Sequence, residues 1–235
     1  MNLLPHIRQV VATFPEVKTY LSGRARWSLY KPAEYKTVDY MENAIEGLVN
    51  GVYNGLIGGQ FIDTLANIIS GQLTQAYQQA FEDEGYTDFA LPDYLAQSLE
   101  DMILGQYDYV DGFYRDVVDA RIDGTSITPL LGRAKLWANQ WNAAYNEAVR
   151  LITLNGGGNL VWVYSPEKEH CPECEALDGL VMRADEWDAI GVKPQNPPNP
   201  SLTCGGWQCG CSLSSTDKRR SPGAYGRIEE ILLAR

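Results

Sequence analysis

The stretch "NGGGNLVWVYSPEKEHCPEC", residues 155–174, is where the chain changes character. Before it, apolar residues recur at steps of three and four, the period of an amphipathic helix. Within it, three consecutive glycines precede "LVWVYS", a β-rich run that reads as a strand. The glycines read as a hinge or chain reversal, because they lack the spacing and strand-to-helix setting of a dinucleotide-binding loop. The stretch closes on Cys171-x-x-Cys174, a spacing that lets two sulfurs face one point.

Every cysteine lies beyond that junction. Cys171 and Cys174 form one cluster; Cys204, Cys209 and Cys211, in "CGGWQCGC" at 204–211, form the other. Residues 175–203, 29 in all, separate the clusters, more than the roughly 15–20 of a simple zinc ribbon. Structural Zn²⁺ sites use four closed ligands, with Zn–S of about 2.3 Å. Five thiols and the adjacent His170 exceed four positions. Cys171, Cys174, Cys204 and Cys209 are the expected ligands, with Cys211 able to replace one of the last two. His170 is disfavoured because Cys171 already occupies its corner. Disulfides fit poorly: the cysteine count is odd, "MNLLPHIRQVVATFPEV" has no secretory core, and a Cys209–Cys211 bridge would be strained. Structural zinc is therefore the expected cofactor. A small module interrupted by "KPQNPPNPSL", residues 193–202, has little core of its own, and a metal can supply the missing folding free energy.

Working back from the junction, residues 1–154 read as a helical domain. One stripe runs Ile62, Leu65, Ile69, Leu73, Tyr77, Phe81, with Gly85 as its stop. Pro92 opens a second, Leu95, Leu99, Met102, Val110, Phe113, Val117, which Asp123-Gly124 closes. Thr128-Pro129 opens a third, Leu130, Ala134, Trp137, Trp141, Ala144, Ala148. Gly47, Gly51, Gly55 and Gly59 recur every four residues. A face of four glycines predicts a helix or partner packed very close, or self-association; the alternative is a break into two helices around "GLIGG". Forward from the junction, "LDGLVM" reads as a turn and second strand. The expected class is α+β: a helical domain over 1–154, a cysteine-rich zinc-binding module with β structure over 155–220, and a C-terminal tail over 221–235.

A hydrophobic content of 45% and charged content of 21% across 235 residues mark a globular chain. The net charge of −11 is uneven. Residues 1–40 carry six Lys/Arg against three Asp/Glu, whereas 41–127 carry two against fifteen. The middle would repel phosphates, so DNA contact is expected at most through the basic N-terminal arm or Lys218-Arg219-Arg220. The uncharged run Gly47–Ile62 is too short and polar to span a membrane. A soluble protein of a reducing compartment is expected.

Catalytic readings find little support in the residues. Deaminase zinc sites pair Pro-Cys-x-x-Cys with an upstream His-x-Glu; here proline follows Cys171, and the one histidine besides His170 is His6. Gly58-Gly59-Gln60 matches the release-factor tripeptide in an unsuitable acidic, helical setting. Asp108, Asp111, Asp116 and Asp119 read as a solvated helix face rather than a Mg²⁺ site.

The residues "VWVYSPEKEHCPECEALDGLVM" followed by prolines and "LTCGGWQCGCSL" resemble the C-terminal signature of phage Mu F-like head morphogenesis proteins, minor head proteins of tailed phages. The pattern of that family is a strand, a Cys-x-x-Cys, a Leu-(Asp/Asn)-Gly turn, a proline-containing stretch, and a Cys-x-Cys leading into a strand. Here these are Cys171 and Cys174, Leu177-Asp178-Gly179, Pro194–Pro200, and Cys209-Gly210-Cys211. The resemblance is best over residues 130–215. The sequence departs from the family in having Cys204 and "GGWQ" where a His-Pro often stands, and Gly210 where an Arg often stands. The resemblance implies a structural virion protein, made in the host cytoplasm and resident in the head interior or near the portal. It would contact the portal protein or the major capsid protein and act in head assembly, DNA packaging or ejection. Two other classes compete: a cytosolic zinc-ribbon adaptor binding a protein or nucleic acid, and a zinc-dependent hydrolase or deaminase.

Overall fold

The first half holds four helices, α1 (Val38–Tyr53), α2 (Gln60–Asp83), α3 (Asp93–Asp123) and α4 (Thr128–Asn155), the last three following the stripes and their punctuation. The structure, a computed structural model, describes residues 38–87, 90–165, 172–195, 198–206 and 209–233. The N-terminal arm up to residue 37, His170 and Cys171 lie outside the described residues. Helix α2 ends just before Gly85, whose φ of +89° turns the chain out of the helix. Pro92 caps α3, and Gly124 at φ +64° closes it. Pro129 sits in the first turn of α4.

Burial follows the stripes. Leu65, Ile69, Leu73 and Tyr77 of α2, Leu95, Phe113 and Val117 of α3, and Ala134, Ala144 and Ala148 of α4 are all inaccessible to solvent. Phe61, one residue ahead of the α2 stripe, joins them. Its ring lies 6.0 Å from Phe113, which meets Trp137 edge-on at 4.7 Å. Aromatic burial of this kind contributes about 2–3 kcal/mol per side chain.

The glycine series does not form a close-packed helix face. The chain breaks around "GLIGG", the alternative reading, and two of the four glycines have local reasons of their own. Gly51 makes room for the returning Ile57, whose side chain a Cβ would meet at 2.4 Å. Gly55 adopts φ +74° in the α1–α2 turn and lies against the Arg121 guanidinium. Gly47 and Gly59 have open space beside them.

Helix α4 is the pivot. It packs on α1, α2 and α3, and also meets the sheet and the helix that follows strand two. After α4 the glycines do reverse the chain: Gly157 is left-handed at φ +66°, and the Gly158 N–H returns to the Thr153 carbonyl. The sheet has the order β2-β1-β3, both pairings antiparallel, with β1 Asn159–Val163, β2 Val181–Arg183 and β3 Ser212–Thr216. Leu160 pairs with Met182 and Trp162 with Leu213. Side chains two apart share a face, so these four form the buried side of the sheet.

The fold is α+β, and three helices join the module's strands: α5 (Pro172–Leu177), α6 (Ala184–Ile190) and α7 (Ala224–Leu233). Glu186 accepts the Arg183 N–H at 3.1 Å at the start of α6, and Gly191 ends it at φ +73°. Residues 224–233, within the expected tail, form α7, which packs on α5 and buries Ala224 and Ile228. No helix among the described residues is long and apolar enough to cross a membrane.

Candidate metal centre

Three separate pieces of chain deliver sulfur to one place. Cys174 comes from α5, whose first residue is Pro172, a residue suited to a helix start. Cys204 comes from a tight turn in which Gly205 and Gly206 are both left-handed, at φ +61° and +79°. Cys209 and Cys211 come from the segment that leads into β3. The sulfurs of Cys174, Cys204 and Cys209 all lie within 4.8 Å of one another, and Cys174 and Cys209 are 3.9 Å apart. Four thiolates around Zn²⁺ at about 2.3 Å would stand about 3.8 Å apart. These residues could therefore hold a metal ion. Among the described residues no other cluster of His, Cys, Asp and Glu converges in this way.

Cys211 lies beside this group, close enough to share hydrogen bonds with both Cys174 and Cys209. Cys174, Cys209 and Cys211 are buried and Cys204 is half-buried. Crowding splits their acidities. Bonds with Cys174 and then Cys209 hold the Cys211 thiol well down, against the cost of burial, helped by the Ser165 backbone and the Trp162 indole. At Cys209 the bond with Cys174 also pulls down, but Cys211 and burial outweigh it and push that thiol up. Negative charge is thus favoured at one sulfur among several that compete for protons, an environment suited to a soft cation.

Polar side chains fix the loops that carry these sulfurs. Glu173 is 4% exposed, and its carboxylate accepts from the Thr203 hydroxyl at 2.8 Å and the Thr203 N–H at 3.2 Å. This ties the Cys174 helix to the residue preceding Cys204. Gln195 donates to the Cys209 carbonyl at 2.6 Å and accepts from Asn146 of α4 at 3.0 Å. It is a non-glycine residue at φ +53°, a conformation costing on the order of 1 kcal/mol that the surrounding bonds must sustain. Asn199 accepts the Ser201 N–H at 3.0 Å and donates to the Lys193 carbonyl at 3.0 Å, shaping the proline-rich connector.

An ion-pair network anchors α6 to α4. Arg150, 6% exposed, contacts both Glu147 oxygens and reaches Asp188 at 2.7 Å; Lys193 also reaches Asp188 at 2.8 Å. Burial raises the Asp188 pKa, but the Lys193 hydrogen bond and the Arg150 charge outweigh it, leaving the carboxyl below its usual range.

The structure thus brings together Cys174, Cys204 and Cys209 and sets Cys211 beside them, while Cys171 and His170 lie outside the described residues. Asp108, Asp111, Asp116 and Asp119 are exposed along α3; Asp111 pairs with Arg115, and Asp116 with Arg133. Gly58-Gly59-Gln60 is an exposed turn leading into α2. Sequence reasoning weighed Glu173 only as a general base for a catalytic zinc; its role as a strut, and the site roles of Gln195 and Asn146, it missed. Their partners are 30, 14 and 49 residues away along the chain, and no local pattern marks such pairs. Comparison with protein-family models, curated proteins and solved structures finds no match.

Proposed function

We propose that this chain is a structural protein whose C-terminal module is held by Zn²⁺ on thiolates, and that it serves as a minor head protein of a tailed phage. The observation that carries the metal reading is the convergence of three cysteine sulfurs within 4.8 Å of one another, with the Cys174–Cys209 pair at 3.9 Å. An all-sulfur donor set favours Zn²⁺ over hard cations. The acid within the Cys-x-x-Cys supports a structural role rather than a hydrolytic one. Glu173 is buried and bonded to Thr203, so it acts as a strut and not as a general base facing substrate.

The virion reading rests on the resemblance of residues 130–215 to Mu F-like head morphogenesis proteins. The arrangement of the module is compatible with it: a strand, a Cys-x-x-Cys, a proline-rich connector and a Cys-x-Cys running into a strand. In this reading the chain assembles in the host cytoplasm and resides in the head near the portal, against portal or capsid protein. An acidic helical region makes a protein partner a better fit than packaged DNA.

Mass spectrometry of gradient-purified particles from the native gene context tests the proposal, alongside metal analysis of the purified chain. The expected result is a few to a few tens of copies travelling with portal and capsid protein, and about one zinc per chain. Absence from both procapsids and virions would overturn the head-protein reading, and metal-free protein with a folded module would overturn the zinc reading.

A further inference from the structure

We infer that Cys211 is the fourth thiolate of the centre, completing Cys174, Cys204 and Cys209, and that the Trp162 indole N–H orients its sulfur. This rests on the metal reading above and gives Cys211, which the spacing offered only as a substitute for Cys204 or Cys209, the place expected for Cys171.

The register carries the argument. Trp162 on β1 pairs with Leu213 on β3. Side chains two apart in an extended chain leave on the same face, so Cys211 comes off on the buried, Trp162 side of the sheet. Cys209, two residues earlier, has its sulfur 3.9 Å from that of Cys174. The Cys-x-Cys therefore presents both sulfurs together, and both reach Cys174. Cys211 is 1% exposed and Trp162 is fully buried. The Trp162 Nε1 has no hydrogen-bond partner of ordinary geometry. By contrast Trp187, the ring packed beside it at 5.7 Å, gives its N–H to the Leu160 carbonyl at 3.2 Å. A buried indole N–H without a partner is destabilising. A metal-bound thiolate at Cys211 is the acceptor that would satisfy it, and such a bond fixes the orientation of the ligand.

The test uses the full chain with Co²⁺ under reducing conditions, reading the thiolate-to-cobalt charge-transfer bands. Cys211→His keeps a competent ligand, so the module can still fold around the ion. It should lose about a quarter of the charge-transfer intensity, as expected when one of four thiolates is replaced. Cys171→Ser should leave the spectrum intact. Trp162→Phe keeps an aromatic ring but removes the donor. It should weaken cobalt binding about 10–100-fold and move the charge-transfer band to lower energy, because the sulfur lone pair is no longer stabilised. A purely packing role would not move the band.

A four-thiolate spectrum unchanged in Cys211→His and lost in Cys171→Ser would overturn the ligand assignment while leaving the metal centre standing. An unmoved band in Trp162→Phe would overturn the role of the indole. A wild-type chain that binds no cobalt or zinc would overturn this inference and the metal reading together.

Discussion

The helical region and the cysteine module reach stability by different routes. In α1–α4 the buried side chains are almost all apolar, and periodic stripes interlock around Phe61, Phe113 and Trp137. In the module the sheet has three strands, the longest of five residues. Much of what holds its loops is polar: Glu173 on Thr203, Gln195 on Cys209, Asn199 on its own turn, and a packed group of sulfurs. The contrast teaches that apolar periodicity suffices where helices are long. A short-stranded module with a proline-rich insertion must instead draw on directional bonds and, in our reading, on a metal.

The sharpest way to break that contrast is to remove the metal. A chelator with reductant, or Cys174→Ser, is expected to abolish protease resistance beyond residue 158 and the near-UV circular dichroism of Trp162 and Trp187. Far-UV helicity from α1–α4 should largely persist. Unchanged protease resistance would show that the metal does not hold the module; collapse of the helices as well would show a single cooperative unit. Next, Phe113→Ala empties the centre of the helical core and should cost about 3–5 kcal/mol in urea unfolding, with the helical signal leading the loss.

A smaller effect is expected at the seam between the regions. Arg150→Met leaves Glu147 and Asp188 without their shared cation. Because both carboxylates are partly solvated, we expect about 1–3 kcal/mol rather than the full cost of breaking a buried pair. The same seam gives a pH signature. The Asp188 carboxyl is held below its usual 3.8 in the folded chain. Its contribution is therefore present above about pH 4 and is lost as pH falls through the lowered folded value. Acid unfolding curves of wild type and Asp188→Asn should diverge above that window and converge below it. The smallest effects separate the glycines. Gly47→Ala, on an exposed helix face with open space around it, should stabilise by up to about 1 kcal/mol. Gly55→Ala, at φ +74° against Arg121, should destabilise by about 1–2 kcal/mol. Thermal melts of both would show whether the glycine series has separate local causes or one shared packing face.

Much of the helical half was legible because it is encoded locally. Pro92, Gly85, Gly124 and Thr128-Pro129 each act on the residue beside them, and the stripes set which side turns inward. The glycine series misled because a four-residue repeat suggests one continuous face, whereas Gly55 is needed for a left-handed turn that ends the helix. In the module, the convergence of Cys174 with Cys204 and Cys209 was readable from spacing. The helices α5, α6 and α7 were not, since segments of 6–10 residues carry too few turns for a stripe. Nor was Gln195, whose importance comes from partners on α4 and at Cys209 rather than from its neighbours in sequence.

The central place of β1 in the sheet has a consequence on the ribosome. One flanking strand, β2, follows it after fewer than about 20 residues, but β3 begins at Ser212, some 50 residues beyond Val163. At about 5–20 residues per second, the nascent chain passes roughly 2–10 s with one edge of β1 unpaired and Cys174 still awaiting its companion thiols. During that interval the finished helices would carry an open strand, a template for pairing with neighbouring chains on the same message. Translation speed through the proline-rich connector thereby sets how long that edge is exposed, and synonymous codon changes there would alter the yield of soluble protein without changing a single residue.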